Sequence, residues 1–197
     1  MYHNHKKEKK MKERIKFSAK VTGITILFCI AALFVMGIGI AITGKGTETM
    51  NMMNPLISGY LHNGLPHFIL NMVLIFLALL SPVNSSYNQY KIFWITTIIS
   101  FIYFPIELLG ITLPAVGISG TCYYLLARYF FTWSNKKNLG KAIILTLAAA
   151  ELFAITENDG AAHGVHLIGI LFGYLSLKKP LEEALSNLPL PKTAKLA

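Results

Sequence analysis

The chain alternates between long apolar runs and short polar connections. Six of these runs are long enough, or nearly long enough, to cross the roughly 30 Å hydrocarbon layer of a bilayer as helices. They predict spans at residues 21–42, 66–83, 92–112, 117–133, 139–155 and 164–178. A helix satisfies its own backbone hydrogen bonds in hydrocarbon. The pattern therefore predicts an all-α membrane protein with a six-helix bundle.

Helix-breaking residues separate several of the runs. Pro66 suits the first turn of the second helix, because a missing N–H costs nothing there. Pro114 and Gly117 interrupt the chain before the fourth span, and Asn158 and Gly160 do so before the sixth. The expected organisation is a basic tail at residues 1–20, one six-helix domain at 21–180 and a short tail at 181–197.

Charge sets the expected orientation of this bundle. Charged residues make up only 14% of the chain, against roughly 25% in an average soluble domain. If the N-terminus is cytoplasmic, all of the 18 Lys and Arg residues except Lys45 fall on the cytoplasmic side. This distribution follows the positive-inside rule. It predicts that both termini are cytoplasmic, and it explains the net charge of +9 without a nucleic-acid partner.

The cysteines, the first apolar run and the basic N-terminal segment indicate the cellular compartment. Cys29 and Cys122 lie inside apolar runs, so we expect free buried thiols. The run from Val21 to Ile42 is longer than the core of a secretory signal, and no A-x-A cleavage site follows it. A compact chain of this kind suits a bacterial plasma membrane, where the basic N-terminal segment would also attract anionic lipids.

Four polar residues, His67, Asn71, Ser119 and His166, lie near the predicted outer ends of their spans. Trp133 marks the inner interface of the fourth span, which places Ser119 about 21 Å above it. The same estimate from Lys178 places His166 about 18 Å above the inner surface. Both residues would then lie roughly 10 Å below the outer surface, where a water-filled depression could hydrate them.

The motifs around these residues favour nucleophilic catalysis. The fourth span opens with Gly117-Ile118-Ser119-Gly120, and the sixth carries His166 with Gly169 and Gly173. Small residues let two helices approach closely. A hydrogen bond from Ser119 to His166 needs that approach. We therefore predict that Ser119 is the nucleophile and His166 the base, with Tyr123 packed on the imidazole ring.

The second span adds hydrogen-bond donors. His67 and Asn71 are separated by one helical turn, and both could donate to the oxyanion of a tetrahedral intermediate. The Ser119 N–H, in the first turn of its helix, is a third candidate donor. The alternative is that His67 and Asn71 only satisfy each other or loop carbonyls.

The next feature is the choice of base and the residue that could orient its ring. His163 lacks the glycine pair at the offsets found after His166, so we predict that it is either an accessory residue or one without a catalytic role. We expect no acidic residue to orient the base. Glu157 and Asp159 are the loop alternatives, and a Ser–His dyad is the prediction.

Together these motifs resemble the rhomboid family of intramembrane serine proteases. The matching residues are His62, His67 and Asn71 in the second span, Gly117, Ser119, Gly120 and Tyr123 in the fourth, and His166, Gly169 and Gly173 in the sixth. The resemblance covers roughly residues 21–180. It implies a serine endopeptidase, without metal or cofactor, that cleaves single-span membrane proteins near the outer surface. It also implies that His67, Asn71 and the Ser119 backbone form the oxyanion hole and that His62 supports the start of the second helix by hydrogen bonding.

The chain departs from the family pattern in three places. The first outer loop, about residues 43–65, is short and lacks the Trp-Arg pair of many members. Val165 stands where an Ala is common, and His163 adds a histidine that most members lack.

Two other functions stay open at this stage. One is a catalytically silent rhomboid-like protein that binds transmembrane helices. The other is a redox protein with haem ligands among His62, His67, His163 and His166. A metalloprotease is disfavoured because the sequence contains no H-E-x-x-H motif. A transporter is disfavoured because the polar groups are shallow rather than central.

Overall fold

The computed structural model describes residues 2–43, 58–62, 65–108, 117–133, 137–157 and 163–178. Every regular element in these ranges is helical, which confirms the all-α prediction. The six helices are α1 (Tyr2–Thr43), α2 (Leu65–Leu79), α3 (Gln89–Leu108), α4 (Ser119–Phe131), α5 (Lys137–Glu157) and α6 (His163–Leu175). Short 3-10 turns lie at Ser58–Tyr60 and Pro82–Asn84.

Two of the helix boundaries that differ from the predicted spans have a cause in the local sequence. Helix α1 begins at Tyr2 rather than near residue 21, because the Lys and Glu residues of the basic segment are good helix formers. Its 42 residues make it about 63 Å long, roughly twice the hydrocarbon thickness. Helix α2 ends at Leu79 rather than at residue 83, because Pro82 lacks an N–H and disfavours helix before it.

The outer surfaces of the helices are strongly apolar. Within α1 and α5, the segments Lys7–Ile42 and Asn138–Ile155 are long and apolar enough to cross a bilayer, and α2 and α6 are shorter apolar helices. Phe34 is 71% exposed and Phe153 is 67% exposed. Exposed apolar faces of this extent suit contact with lipid or protein rather than water.

Helix α4 lies at the centre of the bundle and makes its most extensive contact with α6. Glycines produce this close packing. A Cβ atom on Gly169 would lie 2.1 Å from the Gly120 carbonyl oxygen, and one on Gly173 would lie 2.5 Å from the Tyr124 carbonyl oxygen. The backbones therefore touch without intervening side chains. This confirms the prediction that small residues allow the fourth and sixth helices to approach.

A buried arginine joins the other end of the same helix pair. Arg128 of α4 is only 4% exposed, and its guanidinium donates hydrogen bonds to the Ser176 hydroxyl at 2.6 Å and to the Asn84 side chain at 3.3 Å. It also lies 4.8 Å from the centre of the Tyr87 ring. These contacts hold α4, the end of α6 and the turn after α2 in a fixed relation.

Some sequence predictions fall outside the described residues. They concern Lys45 and most of the first loop, the chain breaks at Pro114, Asn158 and Gly160, the side chains of Glu157 and Asp159, and the tail at 181–197.

Candidate active site

Ser119 occupies the first position of α4, directly after a sharp turn in the backbone. Gly117 has a φ of +108°, a conformation that side chains strongly disfavour. A Cβ atom there would also lie 3.0 Å from His67 Cε1, so glycine leaves room for that ring. Ser119 is 5% exposed, and its N–H lies in the first turn, where no intrahelical acceptor is available.

The structure brings Ser119 and His166 into hydrogen-bond contact. Ser119 Oγ lies 2.8 Å from His166 Nε2. His166 lies in the first turn of α6, as Ser119 does in α4, so the two residues share one end of the packed helix pair. The Tyr123 ring stacks on the imidazole, with centroids 4.4 Å apart and planes 9° apart. The predicted Ser–His contact and the predicted ring packing are both present.

The other nitrogen of His166 reveals a residue that the sequence analysis missed. His166 Nδ1 lies 2.9 Å from Glu151 Oε2, and His163 Nδ1 lies 2.5 Å from the same oxygen. The Tyr123 hydroxyl hydrogen-bonds to Glu151 Oε1. The expectation that no acidic residue is placed to orient the base was therefore wrong. That expectation considered only acids in the loop, whereas Glu151 reaches the site from inside α5.

These contacts determine where the protons lie on His166. An ionised carboxylate only accepts hydrogen bonds, so Nδ1 must carry the proton when it bonds to Glu151. Nε2 of the neutral ring then carries a lone pair, which can accept the Ser119 hydroxyl proton. The arrangement matches a nucleophile, its base and a group that orients the base.

Asn71 provides a buried amide next to α4. It is 2% exposed, and Cys122 Sγ, one turn after Ser119, lies 3.5 Å from the Asn71 carbonyl oxygen and 3.7 Å from Oδ1. Within the described part of the chain, Asn71 Nδ2 has no hydrogen-bond partner. A buried donor without an acceptor is costly. It is therefore a candidate to donate to a developing negative charge.

The two histidines near the start of α2 contact each other through their rings. The centroids of His62 and His67 are 5.4 Å apart, and His62 also contacts Phe68 edge-on. His62 Nδ1 donates to the Tyr60 carbonyl oxygen at 3.1 Å, so its hydrogen bond goes to the preceding turn and its support of α2 is ring packing. Burial lowers the pKa of His62 to about 4, which keeps this ring neutral at pH 7.

Glu151 and the two histidines beside it also form a candidate metal site. Glu151, His163 and His166 offer ligand atoms that all lie within 4.8 Å of one another, a set that could hold a cation. The hydrogen bonds between these same atoms account for the arrangement without one. Haem ligation by His166 is disfavoured, because both of its ring nitrogens are already engaged.

Comparison with models of known protein families finds a match to this chain. A family model for the Rhomboid domain matches residues 49–179, which is more than half of the 197 residues and includes α2 to α6. No curated protein and no solved structure matches the chain. The family is embedded in membranes, and its members are generally intramembrane serine proteases. From the domain match, the chain belongs to the rhomboid family.

Proposed function

We propose that this protein is an active intramembrane serine endopeptidase that cleaves single-span membrane proteins near the outer membrane surface. Ser119 is the nucleophile and His166 is the general base. The observation that carries the proposal is the 2.8 Å contact between Ser119 Oγ and His166 Nε2. This distance lies within the range needed for proton transfer between a nucleophile and its base.

The first half of the reaction forms an acyl-enzyme. As Ser119 Oγ attacks the scissile carbonyl carbon, its proton moves to His166 Nε2 and the carbonyl oxygen becomes an oxyanion. Asn71 Nδ2, the His67 ring and the Ser119 N–H are the proposed donors to that oxyanion. When the C–N bond breaks, the Nε2 proton passes to the departing amine.

The second half releases the acyl group. A water molecule gives its proton to His166 Nε2 as its oxygen attacks the ester carbonyl, and Ser119 leaves with that proton. The side chain of His166 is 16% exposed, so water can reach the ring in an otherwise buried site. The same access supports a water-filled depression in the membrane rather than a dry interior.

The proposed setting is the bacterial plasma membrane with both termini in the cytoplasm. Basic residues then flank the inner ends of the helices, and the site end of α4 and α6 faces outward. Substrates would be single-span membrane proteins that reach the site from the lipid. The side chains of α1 and α5 that are exposed and apolar support this contact with lipid.

Cleavage of a single-span reporter in proteoliposomes tests the proposal. We expect the parent protein to cut the reporter, and we expect Ser119→Ala and His166→Ala to lose cleavage while remaining folded. Ser18→Ala is a matched control, because it removes another buried serine hydroxyl on α1, far along the chain from the motifs. Cleavage that persists in either site variant would reject the proposal. A parent that binds the reporter without cutting it would favour the catalytically silent alternative.

A further inference from the structure

Glu151 is a carboxylate in an unfavourable place. It is the one acidic residue between residues 138 and 155, a segment apolar enough to span a bilayer, and it is 7% exposed. An ionisable group at such a position is costly unless it is paired. A carboxylate at this position therefore needs partners that stabilise its charge, and the identity of those partners indicates its role.

Three hydrogen-bond donors converge on this carboxylate. Oε2 accepts from Nδ1 of His166 and from Nδ1 of His163, and Oε1 accepts from the Tyr123 hydroxyl. The Tyr123 ring also stacks on His166, so the imidazole is held through its face and through one nitrogen. With both oxygens engaged, the carboxylate cannot rotate away without losing hydrogen bonds.

We infer that Glu151 is a positioning residue that converts the Ser119–His166 pair into a Ser–His–Glu triad. It holds His166 in the Nδ1–H form, aims Nε2 at the Ser119 hydroxyl and stabilises the imidazolium that forms as the serine attacks. The proton of Ser119 stops at Nε2, and the Nδ1 proton stays on the ring throughout. This inference rests on the proposed protease activity.

His163 has a defined place in this arrangement. It lies one helical turn before His166 and donates to the same carboxylate oxygen. This hydrogen bond holds the Glu151 carboxylate in place, whereas the contact with Ser119 is made by His166. The sequence could not rank the two histidines beyond the glycine pattern, whereas the structure gives them different partners.

Kinetics of a nearly isosteric variant test the inference. We expect Glu151→Gln to lower kcat by roughly 10²-fold or more, approaching the roughly 10⁴-fold loss seen when a triad carboxylate is neutralised, with KM changed by less than about threefold. We expect Glu151→Asp to recover part of that loss because it restores the charge. Lys141→Gln is the matched control, since it changes an exposed charge to an amide on the same helix. A folded Glu151→Gln protein with kcat within about threefold of the parent would overturn the inference.

A spectroscopic measurement on the unmodified chain avoids any question of folding. The ¹⁵N shifts of His166 in detergent micelles, with EDTA present to exclude divalent cations, report which ring nitrogen carries the proton. We expect Nδ1–H with a bare Nε2 in the neutral ring. The Nε2–H form would overturn the inference even if the protein cleaves substrate. Nδ1–H in a protein that cleaves nothing would support the positioning by Glu151 while the protease proposal fails.

Discussion

The buried amide of Asn71 gives a test at the scale of a single residue. Asn71→Ala removes a donor that has no partner among the described residues. We expect kcat for reporter cleavage to fall by roughly 10²- to 10³-fold, as for loss of one oxyanion donor. Because Asn71 Nδ2 donates to no acceptor among the described residues, its removal leaves no acceptor unpaired there. The free energy of unfolding should therefore change little compared with kcat.

Thr97 offers a matched control for Asn71. Its hydroxyl is also buried and has no hydrogen-bond partner in the described part of the chain, but it lies on α3. Thr97→Val keeps the side-chain shape, and we expect kcat to stay at the parental value. Equal kcat values for Asn71→Ala and the parent would remove Asn71 from the oxyanion hole.

At the residue scale, the predictable part of the site was the set of polar residues that lie within apolar runs. Ser119 and His166 were predicted to meet, and their side chains lie 2.8 Å apart. Glu151 was missed, although it is the one carboxylate in the fifth predicted span. An intramembrane carboxylate is itself a functional signal. Its partner could not be read from sequence, because the rotation of α5 about its axis is set by packing.

The packing of α4 against α6 gives a test at the scale of elements. Gly169→Ala would place a methyl group 2.1 Å from the Gly120 carbonyl oxygen, so the two helices must separate. We expect a loss of about 1–3 kcal/mol in the free energy of unfolding. A shift of about 1 Å between Ser119 and His166 should also lower kcat by on the order of 100-fold.

Gly37→Ala is the control for that substitution. A Cβ atom on Gly37 of α1 would meet no atom within 4 Å, so no helix has to move. We expect cleavage at the parental rate and unfolding at least as difficult as in the parent, since Ala is the better helix former. If Gly169→Ala behaved like Gly37→Ala, the close α4–α6 contact would not be needed for the site.

The hydrogen bonds of Arg128 join the opposite ends of the same helices and can be tested by substitution. Arg128→Met keeps an apolar stem but leaves Asn84 and Ser176 without their donor. Each unsatisfied buried group costs about 1–3 kcal/mol, so we expect the free energy of unfolding to fall by about 2 kcal/mol or more. Lys141→Met, at an exposed position, should change it by less than about 1 kcal/mol. Equal stabilities of Arg128→Met and the parent in reversible detergent unfolding would show that the Arg128 hydrogen bonds contribute little.

Helix number and order were predictable because apolar length is a property of the sequence alone. Helix ends were less so. Pro82 was present in the sequence, yet the second span was predicted to run to residue 83, past the observed end at Leu79. The extension of α1 to Tyr2 follows from helix propensity in a polar segment, which a count of apolar residues does not detect.

The orientation of the whole molecule can be measured with introduced cysteines. Cys29 and Cys122 are buried, so the native chain should give little background labelling. We expect Leu65→Cys, exposed at the start of α2, to react with an impermeant maleimide added outside the cells. Thr132→Cys, exposed directly after the end of α4, should react only after the membrane is opened. The reverse labelling pattern would contradict the proposed topology.

At the scale of the molecule, the six-helix family fold was predictable from three short motifs in order on separate apolar runs. The domain match at residues 49–179 confirms the family. Orientation rests on charge counting and stays a prediction. The contact between Glu151 and His166 could not be predicted, because it depends on how α5 packs against α4 and α6 in the folded protein.

The most direct test of the account is covalent trapping of the nucleophile. A fluorophosphonate probe is added to the purified full-length protein, and the modified residue is located by mass spectrometry. We predict one adduct, on Ser119, that disappears in Ser119→Ala and forms far more slowly in His166→Ala. A folded parent protein that forms no adduct at Ser119 would contradict the account. So would a His166→Ala variant that forms the Ser119 adduct as fast as the parent.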